Sequence, residues 1–152
     1  MGVAKVAGNL EASVTDARTW LRELGDEQVR FKPSPDRWSI AEVVGHLVDS
    51  ACNNHQRFIR AQTTDLLSFP KYEQNDWAKL GHYHTMSWQQ LVELWFNYNC
   101  LITHVIRNIP DDQLLTRCEI VGYEPCTLDF LVEDYLVHLN HHLTKIRERI
   151  GE

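Results

Sequence analysis

The sequence predicts an all-α fold, a four-helix bundle in one domain that covers residues 1–152. Four segments of roughly 20 to 24 residues repeat apolar side chains at three- and four-residue steps, the period of an amphipathic helix. Almost nothing alternates with the period of two that half-buried strands show. The four helices have similar lengths, which favours side-by-side packing. A chain of this size can bury a core without disulfides.

The first predicted helix covers residues 3–24, where apolar side chains recur from Val6 onwards until Gly25 ends the pattern. The second covers residues 39–62. It opens at Ser39, a good N-cap residue, and Glu42 lies three positions later. These two residues predict a capping box that fixes the start of the helix.

The third predicted helix begins near Ser87 and is ended by Pro110, and the fourth covers residues 127–150. Residues 63–86 form a long connection between the second and third helices, and they include the aromatic residues Phe69, Tyr72 and Trp77. So many aromatic side chains predict an ordered crossover that packs on the bundle. A crossover of this length permits the second and third helices to run parallel.

Charge and composition exclude two classes of partner. The formal net charge is -6 with a pI near 5.7, and an acidic surface repels phosphate backbones, so we expect no nucleic-acid partner. No segment approaches the roughly 20 apolar residues of a membrane span, and no secretory signal is evident. We therefore expect a soluble, cytoplasmic protein with no membrane partner. The four cysteines form no C-x-x-C pair, so we expect reduced thiols at Cys52, Cys100, Cys118 and Cys126.

Two histidines in the fourth helix, His138 and His142, are the strongest functional signal. They are one helical turn apart and fall within the apolar face, so their rings point the same way. Burying two imidazoles on one face is costly unless something binds their nitrogens. His141 falls beyond the apolar arc, beside Asp134, and is expected at the surface or next to a ligand. The pair therefore predicts two ligands of a divalent metal.

Periodicity alone leaves the third ligand open between two histidines of the second helix. His46 lies on a polar stripe with Glu42, Asn53 and Arg57, where it could simply be solvated, whereas His55 projects into the apolar arc. The remaining histidines, in the crossover and the third helix, are expected only to pack or to face solvent; they are His82, His84 and His104.

Several catalytic motifs are absent from the sequence. It has no Glu-x-x-His step of the di-iron bundles, no H-E-x-x-H, no Walker A loop, no G-x-G-x-x-G and no G-x-S-x-G. These absences argue against peptidase, nucleotide-binding and serine-hydrolase functions.

Several motifs, taken in order along the chain, resemble the DinB-like superfamily, and within it the YfiT-like branch of metal-dependent hydrolases and bacillithiol S-transferases. Each motif is moderately specific, but their shared order and separation cover most of the chain. The matching segments are residues 37–40, 43–50, Asn53, 57–58, 72–77, 138–142 and 146–149.

The resemblance implies a four-helix bundle with an up-down-down-up course and a cleft at its end. It implies that His46, His138 and His142 hold a divalent metal, zinc or nickel, which decides between His46 and His55 in favour of His46. It leaves His141 as the neighbour most easily mistaken for a ligand. Members of the family are often dimers, so the resemblance also allows a homodimer.

Three neutral imidazoles leave a metal its full charge and an open position, as in catalytic sites. Such a metal can generate hydroxide from water for hydrolysis, or hold a small thiol as the reactive thiolate. No catalytic residue is assigned beyond that water or thiol. Three carboxylates are candidates to orient a ligand or relay a proton: Glu42, Asp49 and Asp134. Four further side chains are candidates to line the substrate cleft: Asn53, Arg57, Trp77 and Tyr135.

These observations favour a metal-dependent enzyme that acts on a small-molecule thiol and an electrophile, or that hydrolyses a small substrate. The thiol would be of the bacillithiol, mycothiol or glutathione type. Transfer is preferred slightly, because no residue stands out as a dedicated base. The alternatives are a non-catalytic protein of the same fold that binds metal or a small molecule, and a structural dimer whose histidines are relics.

Overall fold

A computed structural model describes residues 2–151, and most of them are helical. All four predicted long helices are present, and the first ends three residues earlier than predicted, at Leu21. Two short helices, three short strands and two 3₁₀ turns, at Tyr83–Thr85 and Asp111–Gln113, complete the chain. The elements in order are α1 (Val3–Leu21), α2 (Asp26–Arg30), α3 (Ile40–Ala61), β1 (Leu66–Phe69), α4 (Gln74–Leu80), α5 (Trp88–Arg107), β2 (Arg117–Ile120), β3 (Cys126–Thr127) and α6 (Leu128–Ile150).

The predicted capping box at the start of α3 is confirmed. The Ser39 hydroxyl accepts a hydrogen bond from the Glu42 backbone N–H at 3.2 Å, and the Glu42 carboxylate accepts one from the Ser39 N–H at 2.8 Å. Two N–H groups that have no partner within the helix are satisfied in this way. The box fixes where α3 begins and hence the position of His46 two turns later.

The four long helices, α1, α3, α5 and α6, pack around one connected hydrophobic core. Each contributes fully buried apolar side chains, such as Leu10, Leu47, Trp95 and Leu139. Burying one such side chain stabilises the fold by roughly 1.5–3 kcal/mol. This core is the frame that holds the histidines of α3 and α6 in place.

A three-stranded sheet lies beside the helices, so the all-α class predicted from the sequence is correct only for the larger, helical part of the chain. Strand β1 pairs parallel to β2, and β2 pairs antiparallel to β3, with Leu67 opposite Cys118 and Cys118 opposite Cys126. These strands are four, four and two residues long, too short to show alternation in a sequence. The sheet joins the crossover to the hairpin that precedes α6.

The crossover between α3 and α5 packs closely on α3 through the ring of Tyr83. A Cβ added to Gly45 would lie 2.1 Å from carbon atoms of this ring, so only glycine allows the contact. The Tyr83 hydroxyl donates a hydrogen bond to the carboxylate of Asp49, one turn further along α3. The crossover thus covers the same part of α3 that carries His46.

No helix among residues 2–151 is both long enough and apolar enough to cross a bilayer. The cysteines Cys52, Cys100, Cys118 and Cys126 are all free thiols. Cys118 is fully buried, and burial raises the pKa of its thiol to about 11. This thiol is therefore protonated at neutral pH.

Candidate metal centre

Helices α3 and α6 bring three histidines together: His46, His138 and His142. The Nε2 atoms of His46 and His138 are 3.1 Å apart, and one nitrogen from each of the three rings can be chosen so that all lie within 4.8 Å of one another. The ring centroids are 4.6 to 5.0 Å apart, and the rings meet edge to face. The indole of Trp38 packs on His46 at 4.9 Å.

The geometry of this cluster fits a divalent metal. Two imidazole nitrogens bound tetrahedrally to one zinc ion, at about 2.0–2.1 Å each, lie about 3.3 Å apart. The observed separation of 3.1 Å between His46 and His138 is close to that value. Among residues 2–151, this group of three is the candidate metal cluster, and it includes neither a carboxylate nor a thiolate. Three neutral ligands would leave a coordination position for an outside molecule.

The polar stripe of α3 is buried, so the solvated alternative for His46 is excluded. The His46 side chain is 1% exposed, and Glu42, Asp49, Asn53 and Arg57 on the same helix are also buried. The stripe faces α6 and the crossover instead of solvent. Periodicity within α3 could not show this, because the covering segments lie elsewhere in the chain.

The rival histidine of α3, His55, lies apart from the cluster. Its Nδ1 is 3.1 Å from the hydroxyl of Tyr98 on α5, and the two rings pack edge to face. This hydrogen bond satisfies an imidazole in an otherwise packed environment. The other three histidines considered above are exposed: His82, His84 and His104.

Burial keeps the three clustered imidazoles neutral. It lowers the pKa of His46 to about 3 and that of His142 to about 4, and it also lowers the pKa of His138. Repulsion from the neighbouring imidazoles contributes to the lowered pKa values of His46 and His142. A neutral imidazole is the form that binds a metal, so these side chains need not lose a proton at pH 7.

The metal-free protein should lose stability as the pH falls below about 6.5. In the unfolded chain these histidines take up protons at their ordinary pKa, whereas in the folded chain His46 and His142 do so only near pH 3 to 4. Between these limits the unfolded state binds more protons, so acid favours unfolding. We expect the melting temperature, measured with a chelator present, to fall from about pH 7 to pH 5. The variant His142→Ala should show a shallower fall, and equal slopes for the two proteins would contradict this account.

The structure places the three candidate carboxylates in different surroundings. The Glu42 carboxylate is engaged by the capping box and by Lys32, 3.4 Å away. One oxygen of Asp49 accepts the hydrogen bond from Tyr83, and the other is buried with no hydrogen-bond partner in the described part of the chain. Asp134 is exposed, one helical turn before His138, and its charge acts to raise the pKa of that histidine.

A cavity of about 530 Å³ reaches the cluster through His138. Of the predicted cleft residues, Arg57 and Tyr135 line it, together with Asp134. Asn53 instead donates a hydrogen bond to the Asp49 carbonyl oxygen at 2.9 Å. Trp77 is 40% exposed and packs on Tyr72 in the crossover, and His141 is exposed beside His142.

Several cavity residues were not predicted from the sequence. Tyr72, Tyr123 and Cys126 all line the cavity, and the last two belong to the hairpin that contains β2 and β3. The turn of this hairpin holds Gly122 with a φ of 87°, a conformation that favours glycine. A Gly-Tyr-Glu-Pro run between apolar residues was the available signal for a turn at this place.

Comparison with known proteins identifies the family. The family model of the DinB superfamily matches residues 9–146, which include all three clustered histidines. The chain belongs to the DinB superfamily. The resemblance drawn from the sequence motifs is therefore confirmed, including the branch that contains YfiT.

Two curated relatives of this DinB-superfamily chain bear names that propose a metal-dependent hydrolase. BH0277 of Halalkalibacterium halodurans is 27% identical over 116 residues, which are 74% of this chain and 66% of that protein. YfiT of Bacillus subtilis is 25% identical over 116 residues, which are 73% of this chain and 63% of that protein. The match thus spans less than two thirds of the length of either relative.

The solved structure of YfiT from Bacillus subtilis shows the same fold. It superimposes with a TM-score of 0.85 over 98% of this chain and 87% of that chain, at 24% sequence identity. That structure is described as a four-helix bundle of unusual topology. The mostly helical DinB-superfamily fold seen here is in agreement with it.

Proposed function

We propose that this DinB-superfamily chain is a divalent-metal-dependent enzyme that transfers a low-molecular-weight thiol to an electrophile. Hydrolysis of a small substrate is the other reaction that the same site would support. The observation that carries the proposal is the cluster of His46, His138 and His142 at the end of a cavity large enough for a small molecule. A volume of about 530 Å³ lies within the range of ligand-binding pockets.

The chain's own residues hold the three ligands and shape the space beside them. His46 is buried under Trp38, while His138 and His142 are spaced one turn apart on α6, so the rigid helices set the directions of the rings. Zinc or nickel bound there would supply positive charge that favours the deprotonated form of a thiol or water. Asp134 shares the cavity wall with His138 and is the carboxylate best placed to accept a proton from a bound molecule.

Thiol transfer is preferred because the buried carboxylates of α3 are already engaged. Glu42 caps its helix, and Asp49 accepts the hydrogen bond of Tyr83. Hydrolysis needs a base held firmly against the attacking water, and Asp134, the remaining candidate, is exposed on α6, whereas a thiol held as thiolate is already the nucleophile. The free thiols of bacillithiol, mycothiol and glutathione are the candidate substrates.

Turnover by metal-loaded protein tests this proposal. Zinc- or nickel-loaded protein should accelerate the reaction of at least one of these three thiols with a chlorobimane electrophile. The variant His142→Ala should lose at least about tenfold of the rate, because it lacks one of three proposed ligands. His141→Ala, its exposed neighbour, should keep the wild-type rate. Equal rates for wild type and His142→Ala would reject metal-dependent transfer, and metal binding without turnover would favour the non-catalytic binding protein.

We also propose that the four long helices follow the up-down-down-up course that the family resemblance implies. Three contacts support it. The first joins the C-terminal half of α1 to the N-terminal half of α5, and the second joins the C-terminal half of α3 to the N-terminal half of α6. The third joins the C-terminal halves of α1 and α6. In the proposed course, α1 and α6 run one way while α3 and α5 run the other. The contacts are Arg18–Glu93, Phe58–Tyr135 and Asp16–Arg147.

A further inference from the structure

Arg57 is a buried cation with no anionic partner in the part of the chain that the structure describes. Its side chain comes from α3, is 8% exposed and lines the cavity. No hydrogen bond or ion pair joins it to any residue of the described range 2–151, and its Nε is shielded from solvent without an acceptor. The guanidinium stacks on the ring of Phe69, whose centroid is 5.4 Å from the guanidinium carbon. A buried charge in this state is costly to the fold.

Other arginines of the chain form ion pairs, even though they are more exposed than Arg57 and need a counter-ion less. Arg18 pairs with Glu93 at 2.8 Å, and Arg147 pairs with Asp16 at 2.9 Å. Their side chains are 34% and 41% exposed, so water already solvates them in part. Arg57 is more buried than these two arginines, so it needs a counter-ion more than they do, yet it forms no ion pair with a described residue. Residues that reduce stability in this way are typical of binding sites.

The cavity around Arg57 carries a mixed set of charges. Lys71 lines it too, but its ammonium is paired with Glu73 at 3.0 Å. Asp134 and Glu124 also line the cavity, and no ion pair found among residues 2–151 joins either of them to Arg57. Burial lowers the pKa of the Arg57 guanidinium, while the charge of Asp134 acts to raise it. Arg57 is therefore the one cation of the lining that has no partner within the described residues.

We propose that Arg57 binds a carboxylate group of the small molecule that occupies this cavity. The planar guanidinium matches a single carboxylate through two parallel hydrogen bonds. A carboxylate suits the site better than a phosphate, because three acidic side chains, Glu73, Glu124 and Asp134, line the walls and a dianion would meet more repulsion than a monoanion. The identification of this molecule as the substrate rests on the function proposed above.

The position of Arg57 also sets the shape of the ligand. His46 and Arg57 are both on α3, and about 16 Å of helix axis separates their Cα atoms. Arg57 and His138, one of the three clustered histidines, line the same cavity, so a single bound molecule has access to both side chains. The substrate class is accordingly an elongated molecule with a carboxylate at one end and its reacting group at the other.

Titration of the metal-loaded protein with succinate tests the subsite. Succinamide is the neutral control of the same shape, and inorganic phosphate is the competing anion. The readout is the Nε–H nuclear magnetic resonance signal of Arg57, assigned by its loss in Arg57→Met. We expect a saturable shift with succinate, none with succinamide, and weaker binding of phosphate. Isothermal titration calorimetry measures the affinity of the variants, and Arg57→Met should reduce the affinity for succinate about tenfold or more. Arg60→Met, at an exposed position of the same helix, should leave it unchanged.

The melting temperature separates a binding role from a structural one. Arg57→Met keeps the aliphatic part of the side chain and removes the unpaired charge, so it should melt at or above the wild-type temperature. A large drop in melting temperature would assign Arg57 to the fold instead. Equal shifts with succinate and succinamide, or tighter binding of phosphate, would also overturn the proposal without use of any variant. The same titration in His142→Ala should still show the shift. The carboxylate subsite and the metal centre are therefore tested independently of each other.

Discussion

Zinc or nickel should raise the melting temperature of the wild-type chain and leave that of His142→Ala almost unchanged. An ion that binds only the folded state stabilises it by about 2.7 kcal/mol at a hundredfold excess over its dissociation constant. For a chain of this size, that free energy corresponds to a rise of roughly 5–10 °C. Removal of one ligand from a cluster of three leaves two nitrogens, which hold a divalent ion far more weakly. Thermal melting with and without added metal measures the effect.

His141→Ala is the matched control for this experiment. The ring of His141 lies 5.4 Å from that of His142, but it is exposed and outside the cluster. We expect its metal-dependent rise to equal that of the wild type. If His141→Ala abolished the rise and His142→Ala preserved it, the assignment of the ligands on α6 would be wrong. A wild-type chain indifferent to both metals would reject the metal centre itself.

Gly45→Ala should destabilise the protein, although alanine is the better helix former. In the middle of α3, helix propensity alone would favour alanine by about 1 kcal/mol. The new Cβ would meet ring atoms of Tyr83 at 2.1 Å, and overpacking of this kind costs roughly 1–3 kcal/mol. Displacement of Tyr83 would also remove the hydrogen-bond donor of the buried Asp49 carboxylate. We expect a net fall in melting temperature of roughly 3–6 °C.

Gly8→Ala separates the two effects. Gly8 lies inside α1, is exposed, and has no atom within 4 Å of an added Cβ. There the helix propensity acts alone, so this variant should melt about 2 °C higher than the wild type. Because Gly45 precedes His46, Gly45→Ala should also weaken zinc binding, whereas Gly8→Ala should not. A rise in melting temperature for both variants would show that the crossover moves away from the new Cβ at position 45 without any loss of stability.

The helical part of the fold was predictable from the sequence because its signals are local. The period of the apolar residues located α1, α3, α5 and α6, and the Ser39–Glu42 pair fixed the start of α3. The sheet was missed because its strands are too short to show a period, and they are stabilised by pairing between distant segments. The hairpin residues of the cavity, Tyr123 and Cys126, were missed for the same reason.

The candidate metal centre was only partly readable from the chain. The spacing of His138 and His142 placed both rings on one face of α6, since residues four apart are neighbours on any helix. Local pattern could not choose between His46 and His55, and the family resemblance favoured His46. The structure places His46 beside the other two rings, whereas His55 lies at hydrogen-bond distance from the hydroxyl of Tyr98.

The sequence by itself determined the helices, the paired histidines of α6 and the family, because periodicity, capping and motif order are all properties of neighbouring residues. Only the tertiary structure decided that the polar stripe of α3 is buried and that Arg57 lines a cavity with no ion-pair partner among the described residues. Burial depends on what covers a surface, and the segments that cover α3 are the distant crossover and α6. The chemistry of a polar side chain therefore depends on which segments bury it as much as on which residue it is.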